Sequence, residues 1–105
     1  MTIDSSQFHQ LADDLMTRIT DAIDEAELDL DYDQAGSVLE LECCDGSKIV
    51  INKQEPLRQI WLATKFGGHH YDYRDGVWID DRSGDEFIAF LSAAITRQGG
   101  ETLSL

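Results

Sequence analysis

Between Asp21 and Asp33 the chain carries Asp21, Asp24, Glu25, Glu27, Asp29, Asp31 and Asp33, with no Lys, Arg or His among them. Carboxylates are hard oxygen donors, suited to Fe(II), Fe(III), Mn(II), Ca(II) and lanthanides. The run lacks the Cys and His spacing of a zinc site and the loop of an EF-hand. It offers one or two carboxylates per ion with water completing the shell, which implies weak, poorly selective binding that falls as salt rises. The same negative field would steer a basic protein surface. Charge kept for solubility alone is the alternative, but solubility does not require the charge to be concentrated.

Other chemistry-bearing residues are sparser. His9 and Asp13 are i,i+4 neighbours that would be able to share a cation, with Asp14 beside them. His69 and His70 fall on opposite faces of a strand. His70 and Asp72 share a face and are a secondary metal candidate, though ordinary strand residues are the favoured reading. Cys43 and Cys44 also point to opposite faces, so they neither chelate one metal nor form a structural disulfide. No Ser–His–Asp set or phosphate-cradling Gly loop is visible, and no enzyme activity is expected.

The elements that must position these groups follow from periodicity. Phe8, Leu11, Ala12, Leu15, Ile19, Ala22, Ile23 and Ala26 recur at helical spacing. A first helix is therefore expected over about 4–26, capped by Asp4, Ser5 or Ser6. From Leu28 to Asp33 apolar and acidic residues alternate, as in a half-buried strand. A helix end prefers cations, and like charges repel at i,i+3 and i,i+4 on a helix and along one strand face. Local rules broken without compensation often mark a functional site.

Further strands are expected over 38–44, 48–53, 58–64, 69–74 and 77–80, with two-residue hairpins at Asp45-Gly46 and Asp75-Gly76, a break at Pro56 and a turn at Gly67-Gly68. Ser83-Gly84-Asp85-Glu86 reads as a capping box for a second helix bearing Phe87, Phe90, Leu91, Ala94 and Ile95, ended by Gly99-Gly100. Leu103 and Leu105 in the tail are expected to pack back along the helices. With no helical crossover between strands, the sheet is an antiparallel meander. The architecture is α+β: a two-layer sandwich of about six strands, with N- and C-terminal helices on one face. If Ile60 and Leu62 face the helices, Trp61 faces solvent as a candidate binding anchor or a shield over the sheet.

The chain has 105 residues and a net charge of −13. A single domain over 1–105 with a modest core is expected. The charge argues against nucleic acid and anionic membranes. No signal peptide or membrane span is read, and two adjacent cysteines suit a reducing, cytoplasmic setting.

The run Asn52-Lys53-Gln54-Glu55-Pro56-Leu57-Arg58-Gln59-Ile60-Trp61-Leu62-Ala63, with Gly67-Gly68, Tyr71-Asp72, Trp78 and Asp81-Arg82-Ser83-Gly84, resembles the signature of the frataxin family, closest to its bacterial branch. The likeness runs nearly end to end. It implies an iron-binding protein of iron–sulfur cluster assembly, a donor or regulator rather than an enzyme. It places an acidic ridge on Asp21, Asp24, Glu25, Asp29, Asp31 and Asp33, with Asp13 and Asp14 at its near end and Thr17, Arg18 and Thr20 interrupting it. The ridge would bind iron and dock cysteine desulfurase, and the family's sheet-face contacts fall on Asn52, Gln59 and Trp61. The scaffold protein is the second implied partner. The chain is expected to be monomeric, with iron as the agent that would oligomerise it. The rival reading is an acidic interaction module or inhibitor of a basic enzyme, with metal binding incidental.

Overall fold

The computed structural model describes residues 3–28 and 30–99. Asp29 and the tail with Leu103 and Leu105 lie outside the described residues. Helix α1 (Ser5–Ala26) is followed by strands β1 (Asp31–Ala35), β2 (Val38–Glu42), β3 (Lys48–Gln54), β4 (Gln59–Thr64), β5 (Gly67–Arg74) and β6 (Val77–Asp80), then α2 (Phe87–Gly99). The six strands form one antiparallel sheet in sequence order, as the meander predicts.

Asp4 caps α1: its carboxylate accepts the Gln7 N–H, and the Gln7 side chain accepts the Asp4 N–H in return. Phe8, Ala12, Leu15, Met16, Ile19 and Ile23 form the buried stripe. They join Leu39, Leu41, Ile49, Ile51, Ile60, Leu62, Tyr71, Trp78, Phe87, Leu91 and Ile95 in one core cluster between the helices and one face of the sheet. Each fully buried aliphatic side chain contributes roughly 1.5–3 kcal/mol. Gln98 ties α2 to the sheet: its Oε1 accepts the Lys65 N–H at 2.9 Å and its Nε2 donates to Ser47 Oγ at 2.7 Å.

Four boundaries differ from the pattern reading. β1 begins at Asp31 rather than Leu28 because Glu27 takes a left-handed conformation at φ 51°. The Glu27 N–H then bonds the Asp24 carbonyl and the Leu28 N–H the Ile23 carbonyl, so Leu28 closes α1 instead of starting the strand. The β2–β3 link runs from Cys43 to Ser47 rather than through a two-residue turn, closed by the Cys43 N–H on the Ser47 carbonyl, with Gly46 at φ 86°. Gly67 and Gly68 lie in β5, and Lys65-Phe66 make the turn, with Thr64 opposite Gly67. Ser83 does not cap α2. Glu86 bridges Ile79, and its carboxylate accepts the Ile88 N–H at 2.6 Å at the helix start.

The segment before α2 is instead organised by Asp80, whose buried carboxylate accepts the Arg82 N–H at 2.8 Å and the Ser83 N–H at 3.3 Å. Its other oxygen meets His69 Nδ1 at 2.7 Å. Burial pushes this carboxyl upward in pKa, but the Arg82, His69 and Ser83 donors outweigh it and hold it below its ordinary value.

Candidate cation and partner surface

The acidic run folds onto one edge of the molecule and projects from it in two directions. Asp21, Asp24 and Glu25 are exposed on the last turns of α1, where no basic residue answers the helix C-terminus. Tyr32 on β1 faces the same way: its hydroxyl donates to Asp24 at 2.8 and 3.0 Å. That bond, then desolvation and the charges of Asp24 and Asp21, hold the phenol above its ordinary pKa. Side chains alternate along a strand, so Asp31 and Asp33 point to the open face of the sheet.

On that face β1 pairs with β2 so that Asp31 stands opposite Glu42 and Asp33 opposite Glu40. Like charges directly across an antiparallel pair destabilise it. Lys48, opposite Glu42, reaches Glu40 Oε1 at 2.9 Å, and this bond raises its pKa. Glu40 and Glu42 were missed by the reading of 21–33. The signal was present in the alternation Leu39-Glu40-Leu41-Glu42, which fixes both glutamates opposite the inward leucines.

The near end of the ridge is arranged differently from the expectation. Asp13 is bonded to Lys53 Nζ at 2.7 Å, and the Lys53 side chain is only 12% exposed. His9 lies 3.8 Å from Glu55, which also accepts a bond from Ser5. His9 and Asp13 therefore do not converge on a shared cation, because each has a partner from the β3 end of the sheet. Asp14 accepts the Gln10 side chain at 3.1 and 3.3 Å. Among the described residues, no group of three or more His, Cys, Asp and Glu is gathered closely enough to hold a metal ion.

The middle of the open face carries the other candidates. Asn52, Trp61 and His70 stand side by side across β3, β4 and β5, and Gln59 stands beside Asp72. Ile60 and Leu62 are buried, so Trp61 faces outward as predicted. Its indole N–H donates to Gln59 Oε1 at 3.0 Å, and His70 stacks on the ring at 4.2 Å and 16°. His70 and Asp72 are thus separately engaged, His70 by Trp61 and Asp72 by Gln59 and Arg74. Cys43 is buried and Cys44 exposed.

The sequence model of the Frataxin-like domain matches residues 1–101. The chain is 56% identical to a protein of Psychromonas ingrahamii named iron-sulfur cluster assembly protein CyaY, over 96% of each chain. It is 55% identical to a protein of the same name from a Shewanella species, over 99% of each. Among solved structures it superposes on frataxin from Psychromonas ingrahamii with a TM-score of 0.93 and 56% identity, over 97% of each chain. A trimeric yeast frataxin complexed with ferrous iron gives a TM-score of 0.75 at 28% identity, over 87% of each.

Proposed function

Because this chain belongs to the frataxin family, we propose that it serves iron–sulfur cluster assembly as an iron-binding donor or regulator, acting by binding rather than by catalysis. The acidic edge formed by Asp21, Asp24, Glu25, Asp31 and Asp33, with Asp29 in the same run, binds iron weakly. It also docks the basic surface of a cysteine desulfurase. The open face offers Asn52, Gln59 and Trp61 to the scaffold protein. Bacterial relatives bearing an iron–sulfur assembly name and a yeast relative complexed with ferrous iron support this role.

The observation that carries the reading is the β1–β2 register, which sets Asp31 against Glu42 and Asp33 against Glu40 beside a helix end that has no basic residue. Lys48, bonded to Glu40, offsets part of this charge, and the remainder is repulsive until a cation or a cationic surface settles on it. Titration with Fe(II) and then with cysteine desulfurase, followed by amide NMR, tests it. Residues 21–25, 31–33 and 40–42 are expected to move in both steps. Shifts confined to other parts of the chain overturn the reading.

The scattered donors favour a second reading, an acidic interaction module with incidental metal binding. That reading prevails if the Asp24→Asn/Asp31→Asn/Asp33→Asn variant loses the desulfurase while the unmodified chain binds no iron at physiological salt.

A further inference from the structure

Gln59 is held at three points. Its Nε2 donates to Asp72 Oδ1 at 3.1 Å and to Asp81 Oδ2 at 3.3 Å, and its Oε1 accepts the Trp61 indole N–H at 3.0 Å. A side-chain amide can flip with almost no change of shape, so its neighbours decide its orientation. Flipped here, the oxygen would face two carboxylates and the NH2 group would face an N–H. All three contacts would turn repulsive. The carboxylates are themselves placed: Arg74 Nη2 holds Asp72 at 3.1 Å, and the Asp81 N–H bonds the His70 carbonyl at 2.9 Å.

We infer that Asp72 and Asp81 are positioning residues for Trp61, acting through Gln59, and that they fix which chemistry Trp61 presents to a partner. The inference rests on the reading of this face as a partner contact. The indole has one polar donor, and Gln59 occupies it. His70, stacked at 4.2 Å, occupies part of the ring. What remains is apolar ring surface in a fixed orientation, beside a cleft of about 210 Å³ lined by Val50, Ala63 and Gly68 together with Asn52, His69 and His70. At the ring itself the complementary group is an apolar or aromatic side chain, rather than an acceptor for the indole N–H.

The test uses the whole chain and the indole N–H resonances of its two tryptophans, with buried Trp78 as the internal standard. In the Asp72→Ala/Asp81→Ala variant the Trp61 resonance is expected to shift and to exchange faster with water, while Trp78 stays put. Affinity for the scaffold protein is expected to fall about tenfold. Gln59→Glu alone repeats the loss, because a third carboxylate then faces the other two. Gln59→Glu combined with Asp72→Asn and Asp81→Asn restores the Trp61 resonance, because donor and acceptor are exchanged and the indole keeps its acceptor. If the alanine variant disturbs Trp78 as well, this exchanged triple variant decides, and its failure to restore Trp61 overturns the inference. An unmoved Trp61 resonance in a folded alanine variant also overturns it. A shifted resonance with unchanged scaffold affinity upholds the positioning and overturns the partner reading of this face.

Discussion

Asp80 and Asp33 stand on strands of the same sheet, β6 and β1, and meet opposite surroundings. Asp80 is 4% exposed, and its two oxygens receive Arg82, Ser83 and His69. Asp33 is exposed on the edge strand with Glu40 directly across. A buried carboxylate without donors is too costly to persist, so Asp80 comes with a full set. Water screens Asp33 well enough that the fold tolerates it opposite a second carboxylate. Burial makes the first aspartate part of the architecture, and exposure leaves the second available to a cation from outside.

The largest test of that contrast is Asp80→Ala, expected to lower unfolding free energy by about 3 kcal/mol, because two backbone N–H groups and His69 lose one acceptor. Urea denaturation measures it. The pH dependence has a definite sign. The folded-state pKa of Asp80 is lowered, so its contribution is complete above the unfolded value near 3.9 and is lost as pH falls through the folded value. The stability gap between Asp80→Asn and the parent chain should therefore close in acid, below about pH 4. A gap that persists there would place the effect in packing rather than charge.

At the edge, neutralisation should act in the opposite direction on stability. Asp31→Asn or Asp33→Asn is expected to raise unfolding free energy by about 0.5 kcal/mol each, since each removes a like-charge cross-strand pair. The double variant should also slow association with a basic partner about tenfold at low salt, with the difference fading at high salt. Stopped-flow binding at two ionic strengths reads this. Asp24→Asn should gain less than Asp33→Asn, because Asp24 already receives the Tyr32 hydroxyl. Equal gains would remove that distinction within the edge.

Much of this arrangement was legible in the residues. The apolar stripe of α1, the inward positions of Leu39, Leu41, Ile49 and Ile51, and the outward turn of Trp61 all follow from periods of 3.6 and 2. Asp75-Gly76 makes the expected hairpin, with both residues at positive φ, 50° and 86°. The start of β1 was hidden because alternation in Leu28-Asp29-Leu30 imitates a strand, whereas the chain spends Leu28 on closing the helix with a left-handed Glu27. The Asp13–Lys53 pair spans 40 residues, and no local pattern announces it. Glu40 and Glu42 joined the acidic edge only through strand register, which depends on the whole sheet. Gln59, Asp72 and Asp81 meet for the same reason: three strands must be aligned before their polar groups converge.

The smallest expected effect belongs to Tyr32, which links the two halves of the acidic edge. Its phenol should titrate above the ordinary value near 10, mainly because the neutral hydroxyl donates to Asp24 and ionisation would add an anion beside Asp24 and Asp21. A raised folded pKa means that the stabilising contribution is complete below the unfolded value and disappears as pH rises through the folded one. Phenolate absorbance of the parent chain minus that of Tyr32→Phe isolates this group from Tyr71 and Tyr73. In Asp24→Asn the midpoint should fall back toward the ordinary value, because the largest cause of the shift has lost its charge. A bound cation on the edge should move it the same way by offsetting the carboxylates. If a cation lowers the Tyr32 midpoint in the parent chain but not in Asp24→Asn/Asp31→Asn/Asp33→Asn, the ion sits among those carboxylates. Equal shifts in both would place it elsewhere and remove the contrast with Asp80.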